Sequence, residues 1–298
     1  MARAGSRPRD GVKLFFAWIL CWSLTRIGGA AELGGTDILS AEIAQGLAKA
    51  SEGKIAVDFG GSLPARRALI KGSLPAAALF LRPGELAPTT TSKIALAEFH
   101  FATAAVVVAV HRRNPIEQLT LEQLNNAFAK EARSSALNWN DLVPAARSEL
   151  ITPAVCSPDR TMVTEIFQGI VLEGRAFRPD VRQRVAPPLA LEMLTGRAGS
   201  MVLMAGVPEG AGRPVPLADG REGRSTTAYL PDANNLQNGD YPLQLPLVLY
   251  VRQDLLPTFR PALRWLFSDE AAALLEKQGL HPAPKAIRER FVQRLDTR

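Results

Sequence analysis

The sequence predicts an α/β fold, and three observations carry that expectation. Strand-like and helix-like segments alternate along the chain instead of clustering by type. A run from Phe101 to Val110 is apolar at every position but Thr103 and rich in valine, as in a strand buried on both faces. Two glycine-rich turns, Gly34-Gly35-Thr36-Asp37 and Gly60-Gly61-Ser62, each leave a strand and enter a helix.

The elements follow in order. Leu33–Asp37 reads as a short strand running into a turn. A helix follows over 38–50, with Ile38, Ile43 and Leu47 as its buried stripe. Residues 54–59 alternate as a strand. Ser62 is placed to cap a helix over 63–71, Pro64 suits its first turn and Gly72 stops it. After the apolar run, His111-Arg112-Arg113 and Asn114-Pro115 mark a turn. Thr120-Leu121-Glu122-Gln123 is a capping box opening a helix to Phe128. Asn138–Leu142 reads as a polar loop anchored by Trp139, and a helix is expected from Thr161 to Leu172 with Ile166, Phe167 and Ile170 inward. Residues 206–240, rich in Gly, Pro, Asn and Asp, read as loop with a few short strands. Pro246–Val251 is a strand. Helices are then expected over 258–267, over Asp269–Gln278 with Ser268 as cap and Gly279 as stop, and over 285–295. No internal repeat has a fixed period.

Composition bounds the function. The chain has 298 residues, 47% hydrophobic and 21% charged, which is ordinary globular usage with ample core. Its first thirty residues hold a basic leader (Arg3, Arg7, Arg9, Lys13), an apolar run over 14–24 and small residues at Gly28-Gly29-Ala30-Ala31. That layout is a secretory signal cut near Ala30-Ala31, and it implies a periplasmic protein. The rival is an uncleaved anchor with Trp18 and Trp22 at the interface, although the run is short for a span. Cys21 lacks the small neighbours that lipidation prefers. The leader holds five basic residues and one acid, so without it the net charge falls from +6 to +2. A nucleic-acid partner thereby loses its main support. Cys156 then stands alone, so no intramolecular disulfide forms, and a buried thiol is the plain reading.

Catalytic signatures are missing. The sequence has no Gly-Lys-Ser/Thr phosphate loop, no G-x-G-x-x-G and no G-x-S-x-G elbow. His100, His111 and His281 lack paired ligand spacing, which argues against a metal; no cofactor is expected, and no enzyme. The two glycine turns remain. Free N–H groups and the dipole at a helix start favour an anion, and glycine lets it approach closely. Thr36 and Ser62 would add hydroxyls, and Asp37 would accept a hydrogen bond from a protonated oxyanion. Simple helix capping by the same three residues is the plainer account of the spacing, and the anion reading stands beside it.

Several segments together resemble the phosphate ABC-transporter substrate-binding proteins, the PstS-like type II periplasmic binding proteins. The two turns are similar to that family's Gly-Ser/Thr and Gly-Gly-Ser turns. Val107–Pro115 looks like its valine strand ending in Asn-Pro, followed by Leu119–Leu124, Phe128 and Asn138–Leu142. Tyr241-Pro242-Leu243 with Pro246–Val251 resembles its penultimate strand, and Leu266–Leu280 its closing helix. The resemblance implies mixed sheets flanked by helices in two lobes, 32–112 with 209–298 and 113–208, with a ligand cleft between them. It implies a small oxyanion as ligand, a membrane ABC permease as partner, and a monomer. It favours the anion reading of Thr36, Asp37, Gly61 and Ser62, and adds Arg82, Arg160 and Thr161 as ligand residues. The chain departs from the family where an Asp and a Ser-Arg-Pro are usual: here Leu74–Arg82 lacks the Asp, and Leu81 replaces the Ser. In place of the second-lobe Ser-Gly-Thr stand Thr161-Met162-Val163. A binding-protein fold with a degenerate pocket, acting as a periplasmic sensor or scaffold, is the alternative.

Overall fold

The computed structural model describes residues 30–82, 85–92, 94–132, 136–157, 162–221 and 223–296. The expected leader, Arg160 and Thr161 lie outside the described residues. From Ala31 onward the chain forms one compact unit.

The first run of alternating elements comprises β1 (Ala31–Gly35), α1 (Ala41–Ala50), β2 (Ile55–Asp58), α2 (Ser62–Lys71), β3 (Ala76–Phe80) and β4 (Leu96–Ala105). A middle section holds β5 (Val107–Val110), β6 (Leu119–Thr120), α3 (Leu121–Phe128), α4 (Trp139–Leu142), β7 (Thr152–Val155), α5 (Val163–Ile170), α6 (Pro187–Gly196), β8 (Ser200–Met204), β9 (Arg213–Pro214), β10 (Leu217–Ala218) and α7 (Ala233–Asn238). The chain closes with β11 (Gln244–Arg252), α8 (Leu256–Leu266), α9 (Asp269–Lys277), β12 (Leu280–Pro282) and α10 (Lys285–Asp296).

Two main sheets result. The larger has the order β12-β4-β11-β3-β1-β2, parallel among β2, β1 and β3 and antiparallel from β3 to β12. The smaller has the order β7-β8-β5-β9, with a two-stranded β10-β6 pair beside it. Sheets of mixed direction, covered by helices and drawn from interleaved parts of the chain, make the two-lobed α/β architecture expected from the sequence.

The apolar run is not one strand. It divides at Val106 into β4 of the larger sheet and β5 of the smaller. Uniform valine and alanine hide such a division, because both pieces are buried on both faces and neither shows a period. The crossing is tied by the returning chain: Val106 donates its N–H to the Leu243 carbonyl (2.9 Å) and accepts the Tyr241 hydroxyl on its own carbonyl (2.8 Å).

Local chemistry explains several element ends. Thr120 and Gln123 make the reciprocal capping box that opens α3, at 3.1 and 2.8 Å. Asn138–Leu142 is a one-turn helix instead of a loop, because the Asp141 carboxylate accepts the Asn138 N–H (2.7 Å) while Trp139 is buried. Ser268 caps α9 through the Ala271 N–H (3.2 Å). The first helix begins at Ala41, later than expected, with its start held from outside: Gln278 accepts the Ser40 N–H (3.0 Å) and donates to the Ser40 hydroxyl (3.1 Å). Helix α1 then packs on α8 with Gly46 against the indole of Trp265, where an added Cβ would come within 2.0 Å.

Candidate functional site

The parallel strands β1, β2 and β3 end on the same edge of the larger sheet, the edge at which α/β proteins bind ligands. Two glycines let the strand ends meet there. Gly61 donates its N–H to the Gly35 carbonyl (2.9 Å) and has φ 125°, a conformation that only glycine adopts without strain. Gly35 has no room for a side chain: a Cβ would lie 2.8 Å from the Ala78 carbonyl oxygen and 3.0 Å from the Phe59 ring.

A cavity of about 340 Å³ opens over this edge. Thr36, Asp37, Gly61, Ser62 and Arg82 all line it, so five residues singled out in the sequence from three separate segments come together. Across the cavity stand Met162 and Glu165, at the start of α5, and Leu245 of β11 closes it. Helix α5 follows β7 of the smaller sheet, so the cavity lies between the two lobes.

The donors available differ from those the sequence implied. The Thr36 N–H is spent on the Ala78 carbonyl (3.0 Å), and its Oγ1 accepts the Ile38 N–H (3.4 Å), leaving the hydroxyl proton as donor. Because α1 starts five residues after Thr36, at Ala41, the Thr36 turn is not a helix N-terminus. The second turn is. Gly61, not Ser62, is the cap of α2, and Ser62 occupies the first helical position. The first intrahelical bond runs from Ala65 N–H to the Gly61 carbonyl (3.3 Å), and Pro64 has no N–H. Helix geometry therefore leaves the Ser62 and Leu63 N–H groups facing outward beside the Ser62 hydroxyl. On the opposite wall α5 begins at Val163, with Met162 in the cap position, where its side chain offers no cap hydrogen bond.

The charges are mixed. Arg66 pairs with Glu85 (3.0 Å), and the same carboxylate accepts the Arg82 N–H (3.1 Å). Arg66 thus serves structure more than ligand, and among the described residues the Arg82 guanidinium is the cation left on that side. Asp37 and Glu165 add two further carboxylates to the lining. Sequence reading missed Leu63, Arg66, Glu85, Glu165 and Leu245. Arg66 was findable, because it stands four residues after Ser62 on the same helical face. Glu165 and Leu245 reach the cavity only through tertiary packing.

Elsewhere the site chemistry is sparse. Among the described residues no group of three His, Cys, Asp or Glu could hold a metal ion. Cys156 is buried, and burial pushes its thiol above the ordinary range, away from nucleophilic use.

Solved structures share this architecture. A possible phosphate-binding protein from Planctomyces limnophilus is 20% identical and superposes with a TM-score of 0.66, over 90% of this chain and 98% of that one. PstS from Borrelia burgdorferi is 14% identical with a TM-score of 0.64, over 86% and 99%. An ABC-type phosphate transport receptor from Vibrio cholerae is 17% identical with a TM-score of 0.54, over 84% and 99%. No curated protein matches the sequence. The family model for the PBP superfamily domain matches residues 37–270, from the Thr36 turn into α9. With most of its length inside that match, the chain belongs to the PBP superfamily, and its fold and family point to solute binding.

Proposed function

We propose that this protein is an exported receptor that captures phosphate or a similar small oxyanion between its lobes and delivers it to an ABC permease. One observation carries the reading: Thr36, Asp37, Gly61, Ser62 and Arg82 share one interlobe cavity with the N-terminus of α2. In that arrangement the Ser62 and Leu63 N–H groups and the Ser62 and Thr36 hydroxyls donate to the oxyanion. Arg82 balances its charge, and Asp37 accepts its remaining proton. The positive end of α2 favours the same charge.

Calorimetric titration of the purified protein with phosphate, sulfate and other oxyanions tests this. Saturable micromolar binding is expected. Thr36→Ala combined with Ser62→Ala removes two hydrogen bonds to a charged ligand, about 3 kcal/mol or more, and weakens binding over a hundredfold. Unchanged affinity in that double variant sinks the proposed pocket. The export step has its own test: mass spectrometry of periplasmic protein should find a mature chain starting near Ala31.

A second reading has one observation in its favour. Met162 and Leu245 line the cavity, and Glu85 neutralises Arg66. A receptor fold used as a scaffold or sensor without oxyanion binding fits such a pocket. Titrations flat for every oxyanion would select it.

A further inference from the structure

We propose that the ligand is a zwitterion, a phosphate monoester or phosphonate that also bears an amine, with its oxyanion at Ser62 and Arg82 and its ammonium at Glu165. The inference rests on the oxyanion reading of the cleft and narrows it.

Size is the first reason. The cavity above α2 adjoins a second of about 580 Å³, and the two share Arg82, Met162, Glu165 and Leu245 as a common border. A phosphate ion has five heavy atoms and takes roughly 90 Å³, the room of about three waters at ~30 Å³ each. A bare phosphate would leave most of the cleft to solvent, whereas an aminoalkyl phosphate reaches from the first cavity into the second.

Charge is the second reason. Most charged groups along the cleft already have partners. Arg66 holds Glu85 (3.0 Å), Arg221 is hydrogen-bonded to both oxygens of Asp219, and Arg175 stands 3.7 Å from Glu173. Asp37, Arg82 and Glu165 have no ion-pair partner among the described residues, and of the two carboxylates only the exposed Glu165 stands on the border between the two cavities. A second negative charge near a bound, singly protonated oxyanion repels it. An ammonium on the ligand turns that repulsion into an ion pair. Met162, Ile166 and Leu245 supply apolar wall for the short alkyl link between the two charges.

Titration with inorganic phosphate, ethyl phosphate, 2-aminoethyl phosphate, 2-aminoethylphosphonate and β-alanine separates the possibilities. The two amine-bearing phosphorus compounds should bind at least about fivefold tighter than ethyl phosphate, about 1 kcal/mol. Glu165→Gln, verified to melt as the parent does, should bring that ratio close to one. Equal affinity for ethyl and 2-aminoethyl phosphate overturns the inference and leaves the oxyanion reading standing. A preference that survives Glu165→Gln overturns the role given to Glu165. β-Alanine binding as tightly as 2-aminoethylphosphonate overturns the phosphorus class. No binding by any of the five overturns both this inference and the reading beneath it.

Discussion

Tyr241 and Tyr250 are both buried phenols, yet they occupy opposite situations. The Tyr241 hydroxyl donates to the Val106 carbonyl at the point where the chain passes from one sheet to the other. The Tyr250 hydroxyl has no hydrogen-bond partner among the described residues, and burial with the nearby Glu98 carboxylate pushes it up to about 12. A buried hydrogen bond lost on one side costs about 1–3 kcal/mol, whereas removing a group that was never satisfied costs little. Tyr241→Phe should therefore lower stability by about that amount in urea unfolding, while Tyr250→Phe should leave it unchanged or raise it. Equal effects would show that the crossing hydrogen bond contributes nothing of its own. The lone residue Val106 owes its defined position to such single contacts, and no pattern in the sequence advertises them.

Helix α1 sets two element-scale effects against each other. Gly46 lies in the helix interior, where alanine would be favoured by about 1 kcal/mol. The Trp265 indole occupies the space that a Cβ would need, and overpacking of that kind costs about 1–3 kcal/mol. Gly46→Ala should thus be destabilising, seen as a lower melting temperature with faster hydrogen exchange in α1 and α8. A stabilised variant would mean that Trp265 turns aside freely. At this scale much was legible beforehand. Thr120-Leu121-Glu122-Gln123, Ser268 and Gly72 act locally, through bonds to backbone two to four residues away, and each ends or opens a helix where expected. What failed was non-local. The start of α1 is fixed by Gln278 from the far end of the chain. Helix α6, which opens on Pro187-Pro188, and strands β7 and β8 went unassigned, since prolines read as loop and short apolar strands have no distinctive period. The candidate site divides the same way. Gly61 and Ser62 are readable as a strand–turn–helix motif, whereas Glu165 joins them only because the lobes face each other.

Across the whole molecule, two histidines couple stability to acidity. His281 of β12 donates from Nε2 to the Ala205 carbonyl (3.0 Å), just past β8, and so links the larger sheet to the smaller. His100 is held between Thr103 (2.8 Å) and Gln237 (3.0 Å). Burial is the main cause that lowers both imidazoles below their ordinary value of 6.5. Their folded values lie below the unfolded one, so the unfolded chain takes up protons first. Stability is complete above about pH 6.5 and declines as pH falls through the window down to the folded values. Melting temperatures should drop between pH 7 and pH 5, and His281→Gln should flatten part of that slope. A profile unaffected by His281→Gln would remove this histidine from the account.

The close meeting of Gly35 and Gly61 has a consequence for how the proposed pocket diverges. Any side chain at Gly35 collides with the backbone of the neighbouring strand, and any at Gly61 strains the turn, so the cleft floor is closed to mutational drift. Leu63 and Glu165 are under no such restraint, because each is exposed in the first turn of its helix beside the cavity. A lineage descending from this sequence can reshape the proposed pocket by changing those two positions, and it inherits the floor intact.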